Sequence, residues 1–232
     1  MRREVIGNCE LTCEDCMELM ARYPDKHFDL AIVDPPYFNG PEKLGYYGAG
    51  YSKIGVERQE YKKIGKWDIP GQEYYDELCR ISSNQIIWGI NYFSFIGIGV
   101  GRIVWDKQKV YGYSFSEGEI AYCSLINSTR FFRFRWDGML QGDMKNKEQR
   151  IHPTQKPVAL YKWLLSKYAK PDWKILDTHL GSGSIAIACY DMGFPLTACE
   201  IDEDYFTAAV ERLRRSAAQG TLDFGGENEK KN

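Results

Sequence analysis

The chain has no apolar run long enough to cross a bilayer: its longest candidate, Phe93 to Gly101, is broken by Ser94, Gly97, Gly99 and Gly101. A spanning helix needs about 20 consecutive apolar residues, so no membrane is expected as a partner. No apolar segment follows Met1-Arg2-Arg3, so no signal peptide is expected and the reading is cytoplasmic. An even cysteine complement is lacking as well, and seven cysteines fit reduced thiols better than a disulfide framework. So is a positive charge balance. A net charge of -2 excludes a globally basic nucleic-acid binder, and any such contact has to be local. What is present suffices for one domain, because 232 residues with 44% apolar content can bury a single α/β core.

Leu30-Ala31-Ile32-Val33 reads as a buried strand that runs directly into Asp34-Pro35-Pro36-Tyr37. In an open α/β sheet ligands bind beyond the carboxyl ends of strands. Two rigid prolyl φ angles would there aim the Asp34 carboxylate, the Pro35 carbonyl and the Tyr37 ring into one crevice. Two acceptors beside a ring suit a planar base with an exocyclic amine. On these four residues alone, a strand leaving the sheet through a Pro-Pro turn is an equal account. Farther on, Lys174 to Asp177 reads as a strand that turns through Gly181-Ser182-Gly183 into a helix from Ile185 to Met192. The glycines let the backbone approach a ligand and leave helix N-terminal amides free for an anion. The next strand, Leu196 to Cys199, is closed by Glu200-Ile201-Asp202, and an acid at that place commonly bonds ribose hydroxyls. With no phosphate-binding lysine in the loop, these segments describe an adenosine pocket; the plainer account is an ordinary βαβ unit with a tight glycine turn.

Four motifs in this order, Asp34 to Tyr37, the box His152-Pro153-Thr154-Gln155-Lys156-Pro157, Asp177 to Ser184, and Glu200, resemble one family. It is that of the S-adenosylmethionine-dependent amino-group DNA methyltransferases, in the permuted (beta) class where the catalytic motif precedes the cofactor motif. The resemblance spans nearly all of residues 1 to 215 and is weakest between 38 and 150. It implies a Rossmann-like methyltransferase fold, an α/β doubly wound and mostly parallel sheet with inserted DNA-facing loops. It also implies methyl transfer from S-adenosylmethionine to the N6 amino group of a flipped adenine in double-stranded DNA. Asp34, Pro35, Pro36 and Tyr37 are then catalytic. Asp15 and Cys16 would lie near the cofactor adenine. Thr154, Gln155, Lys156, Asp177, His179, Leu180, Gly181, Ser182, Gly183, Ser184, Glu200, Ile201 and Asp202 would complete the cofactor site, with no metal.

Asp34 tilts the reading to adenine, since cytosine-N4 enzymes of that class more often carry Ser there. The cytosine-N4 activity and a catalytically silent DNA-binding module of the same fold are the alternatives. A homodimer and a cognate restriction enzyme are left open as partners. Thr178 and His179 depart from the family's Pro and Phe, which bears on cofactor affinity. Cys9, Cys13 and Cys16 match the spacing of iron-sulfur ligands, but Asp15 stands where such enzymes favour an aromatic, so Cys9 and Cys13 are read as incidental thiols and Cys16 as a cofactor neighbour.

The domain is expected to cover residues 1–218, with DNA-recognition segments within 38–75 and 107–150 and a disordered tail over 219–232. Residues 52–67 and 130–150 are each net +3 and interleaved with aromatics, a pattern that suits phosphates and bases. Strands are expected at Val5 to Leu11, Asp29 to Asp34, Gln85 to Gly89, Arg102 to Asp106, Glu119 to Ser124 and Arg130 to Trp136. Helices are expected over Glu14 to Arg22, Gln72 to Ser83 and after Pro157, the last with a core stripe at Tyr161, Leu164, Leu165 and Tyr168.

Overall fold

A strand apolar at every position can be buried only if its sheet is covered on both faces, and Leu30 to Val33 sets the architecture accordingly. The computed structural model describes residues 1–37, 69–94, 99–109, 116–137 and 140–225. The first strands are β1 (Arg2–Ile6), β2 (Cys9–Cys13) and β3 (Phe28–Val33), followed by β4 (Ser82–Trp88), β5 (Arg102–Asp106), β6 (Gly118–Cys123) and β7 (Thr129–Arg133). A small separate pair, β8 (Trp136–Asp137) and β9 (Leu140–Gln141), precedes the last strands, β10 (Ile175–Asp177) and β11 (Leu196–Glu200). The main sheet has nine strands in the order β1-β2-β11-β10-β3-β4-β6-β5-β7. Its centre, from β2 to β4, is parallel, whereas β1 and β6 run against their neighbours.

Alternate residues of β3 face opposite layers. Leu30 and Ile32 pack with α3 (Val158–Tyr168), α4 (Ser184–Met192) and α5 (Glu203–Gly225). Ala31 and Val33 pack with α1 (Cys16–Ala21) and α2 (Gln72–Ile81). From β10 the chain returns through α4 to β11 on one side, while from β3 it goes on to β4 on the other, so the order reverses between β10 and β3. Those two strands pair directly, Ile175 opposite Leu30. Open α/β sheets bind ligands in the crevice at such a reversal. Asp34 leaves β3 and Thr178 leaves β10 at its edge.

Most expected ends shift by one to three residues, and three expectations differ in kind. Val5 to Leu11 is a hairpin rather than one strand, because Gly7 takes φ +55 and the Asn8 side chain turns away to donate to the carbonyls of Cys189, at 3.0 Å, and Phe194. Arg130 to Trp136 breaks after Arg133, where Trp105 donates to the Phe134 carbonyl at 3.1 Å and Trp136 to that of Gln155 at 2.9 Å. The expected disordered tail begins too early, for the backbone of 219–225 continues α5; the cost of a helical glycine, about 1 kcal/mol, does not stop it at Gly220. Among the described residues no helix is long and apolar enough to cross a membrane.

Candidate active site

The carboxyl ends of the central strands open onto a cleft of about 580 Å³. Its walls bring together Asp34, Pro35, Pro36 and Tyr37 beyond β3, Asp15 and Cys16 at the start of α1, and Thr154, Gln155 and Lys156 before α3. They also include His179, Leu180, Gly181 and Ser182 after β10, and Glu200, Ile201 and Asp202 at the end of β11. Asp177, Gly183 and Ser184 stand outside these walls. Asp177 is buried beneath, where it accepts from the His179 amide at 3.0 Å and burial pushes its carboxyl up to about 8. Gly183 has φ +72, and a Cβ there would lie 3.1 Å from that of Ala209, so its place against α5 accounts for the glycine. The Ser184 hydroxyl accepts from Arg212 at 2.9 Å.

At one end of the cleft Asp34 has two unlike oxygens. Oδ2 takes an ion pair from the Lys156 ammonium, while Oδ1 is buried and, among the described residues, has no hydrogen-bond partner. Burial raises the Asp34 carboxyl above the usual carboxylate range, and Lys156 opposes that rise. The resemblance put Lys156 with the cofactor residues, yet its ammonium pairs with Asp34. The Tyr37 ring lies parallel to that of Tyr92, centroids 4.7 Å apart and planes 10° apart, and Tyr92 is 58% exposed. Gly89, at φ +71, makes room for this: a Cβ there would be 2.2 Å from Tyr37 Cδ1.

At the other end Glu200 is fixed by two amides, Gly181 donating to Oε2 at 2.8 Å and Asp202 to Oε1 at 3.0 Å. Each oxygen retains acceptor capacity for a diol hydroxyl. Around Gly181 (φ +51) an added Cβ would meet no described atom closer than 3.9 Å, which leaves room for a ligand. Asp15 Oδ1 caps α1, accepting from Met17 N at 2.8 Å, and burial pushes the Cys16 thiol up to about 12. The departures from the family pattern are tied together: Tyr74 of α2 is 2.5 Å from the Thr178 hydroxyl, which lies 3.0 Å from His179 Nδ1. Tyr74 and His179 also meet edge to face at 5.4 Å. A held carboxylate, an open glycine turn and these rings fit an adenosine-bearing cofactor. Among the described residues no three His, Cys, Asp or Glu side chains are placed to hold a metal; Cys9 and Cys16 belong to opposite faces of the sheet.

Sequence reasoning missed Tyr74 and His152 in the wall, and it read Tyr161 as core although that ring also lines the cleft. Nothing local marks Tyr74, since an aromatic stripe at helical spacing reads as core. The basic segment 52–67 lies outside the described residues. In the other segment Arg130, Arg133, Lys145 and Lys147 are exposed, with Arg133 5.3 Å from the Phe131 ring. Glu148 in the same stretch is structural, pairing with Arg212 at 2.6 Å.

Residues 104–211 match the N6/N4 methyltransferase family, described as DNA methylase. The chain is 27% identical over 220 residues to "Putative methylase YubD" of Escherichia coli (strain K12), with 93% of each chain covered. It is 25% identical over 241 residues to "Type II methyltransferase M.HinfI" of Haemophilus influenzae, covering 86% of this chain and 67% of that one. Its fold resembles that of the M1.HpyAVI–SAM complex, with a TM-score of 0.56 at 18% identity over 88% of this chain and 99% of the other. The PvuII DNA methyltransferase, described as cytosine-N4-specific, gives 0.57 at 11% identity over 91% and 92%. Likenesses at such identities concern the fold alone.

Proposed function

We propose that this chain is a DNA methyltransferase of the N6/N4 kind that uses S-adenosylmethionine to methylate the N6 amino group of an adenine flipped out of duplex DNA. One observation carries the reading: at the mouth of the strand reversal, Asp34 keeps one oxygen on Lys156 and the other, among the described residues, without a partner. A buried carboxylate oxygen without a donor is costly, and an exocyclic amine is the kind of donor that would relieve it. The amino nitrogen of adenine is a poor nucleophile because its lone pair is delocalised into the ring, and a paired base must leave the stack to be reached. Asp34 Oδ1 and the Pro35 carbonyl accept the two amino hydrogens, which localises that lone pair and stabilises positive charge developing on nitrogen. Tyr37 stacks on the base. When bound, S-adenosylmethionine supplies an electrophilic sulfonium methyl; Glu200 takes its ribose hydroxyls and the turn at Gly181 admits it.

The order of the motifs along the chain, Asp34 before Gly181, supports the permuted class. Asp34, where N4 enzymes of that class more often have Ser, supports adenine over cytosine. Expression in a methylation-free bacterial strain, followed by nucleoside analysis of the genomic DNA, tests the base. N6-methyladenine is expected, and N4-methylcytosine alone would overturn the choice of base while sparing the chemistry.

A further inference from the structure

Lys156 is the third member of a chain of alternating charges that reaches well beyond the motifs. It is 3% exposed, and its Nζ lies between Asp34 Oδ2 and, at 3.0 Å, Glu119 Oε2. Glu119 Oε1 is in turn 2.5 Å from Lys107 Nζ, and Lys107 sits 4.9 Å from the Trp105 ring. The four groups come from the ends of β5, β6 and β3 and from the loop before α3, and their charges cancel. The Glu119 Oε2 contact is a close ion pair outside hydrogen-bond direction, whereas the bond to Asp34 is aligned.

A buried ammonium flanked by one carboxylate is commonly a fragile arrangement, because desolvation favours moving the proton onto the acid. A second carboxylate keeps the lysine charged; its own charge raises the Asp34 carboxyl, so what it contributes to the site is the place of the ammonium between the two acids. Removing the lysine would be worse: two carboxylates sharing one site raise each other's pKa until one takes a proton. A protonated Asp34 could donate to the substrate amine but could not draw off its positive charge. We propose that Glu119, braced by Lys107, is a positioning residue for methyl transfer: it anchors Lys156 so that the ammonium holds one oxygen of Asp34 and leaves the other turned to the substrate amine. This rests on the reading of Asp34 as the amine's acceptor.

The test compares the full-length chain with Glu119→Gln and Lys107→Met, using labelled S-adenosylmethionine and unmethylated genomic DNA. For Glu119→Gln, kcat should fall about 10- to 100-fold, the loss seen when the partner that orients a metal-ligating side chain is removed, with KM for DNA and affinity for the cofactor little changed. Lys107→Met, at the far end of the chain, should cost less but in the same parameter. Unchanged kcat per folded molecule in both variants, with thermal melting reporting the folded fraction, overturns the proposal. So does a loss shared equally between kcat and cofactor binding. If Glu119→Gln fails to fold, Lys107→Met alone decides by the same criterion. A wild-type protein that transfers no methyl group sinks the parent reading instead. The anchoring is then judged by nitrogen-15 spectra of the lysine ammonium groups: a slowly exchanging signal, absent from Lys156→Met, should exchange faster in Glu119→Gln, and an unaltered signal overturns it.

Discussion

An acceptor used only in the transition state and one that holds the cofactor in the ground state fail differently when removed. Asp34→Ala should collapse turnover about 100-fold or more while S-adenosylmethionine and DNA still bind; a variant with near-normal turnover would take Asp34 out of the chemistry. Glu200→Ala removes an acceptor worth about 1.5–3 kcal/mol, so cofactor affinity measured by calorimetry should weaken about tenfold or more, and unchanged affinity would remove Glu200 from the site. His179 can be tested through stability. Burial lowers its pKa to about 4, against about 6.5 in an unfolded chain. Below pH 6.5 the unfolded state binds a proton that the folded state refuses, so this contribution is intact above 6.5 and is lost as pH falls toward 4. The loss is at most about 3 kcal/mol. His179→Phe lacks it and should gain on the wild type across that window, with cofactor binding intact or tighter. Parallel melting-temperature curves would show that the imidazole is not held neutral.

At the scale of elements, what was legible followed burial. β3 could be read because a strand covered on both faces is apolar at every position, and Asp34 could be read because it ends that strand. The turn after β10 was legible through its glycines, although Gly183 serves the packing against Ala209 rather than the cleft wall. The hairpin at Gly7 was hidden by a pattern that continues across it, and the pairing of Asp34 with Lys156, 122 residues apart, has no local signature at all. Nor do Glu119, a single charge in β6, and Lys107, just past the end of β5. The end of β4 gives a prediction that joins element to site. At Gly89 a side chain would be strained by about 1–2 kcal/mol in the left-handed region and would run into Tyr37 Cδ1. Gly89→Ala should therefore shift the Tyr37 ring and lower methyl transfer more than it lowers cofactor affinity; equal losses would mean that only the fold had suffered.

For the molecule as a whole, the net charge of -2 and a DNA substrate are compatible only if basic residues are gathered where the duplex lies. Among the described residues, the exposed Arg130 and Arg133 of β7 and the exposed Lys145 and Lys147 after β9 are the basic side chains that the proposed function would use for this. Arg133 is only loosely held, 3.6 Å from Asp106 with 62% of its side chain exposed, so it can exchange that carboxylate for a phosphate at little cost. Each phosphate that a basic side chain neutralises releases condensed counterions, so duplex affinity should fall steeply with salt while affinity for the cofactor stays level. Reversing the charge of Arg130 and Arg133 together should weaken DNA binding at every sequence tested and reduce the log-log salt slope by about 2, one unit for each phosphate no longer neutralised. A slope identical to that of the wild type would make β7 a solvated edge strand, and the duplex would then have to be held by other basic residues, because the whole-chain charge cannot hold it.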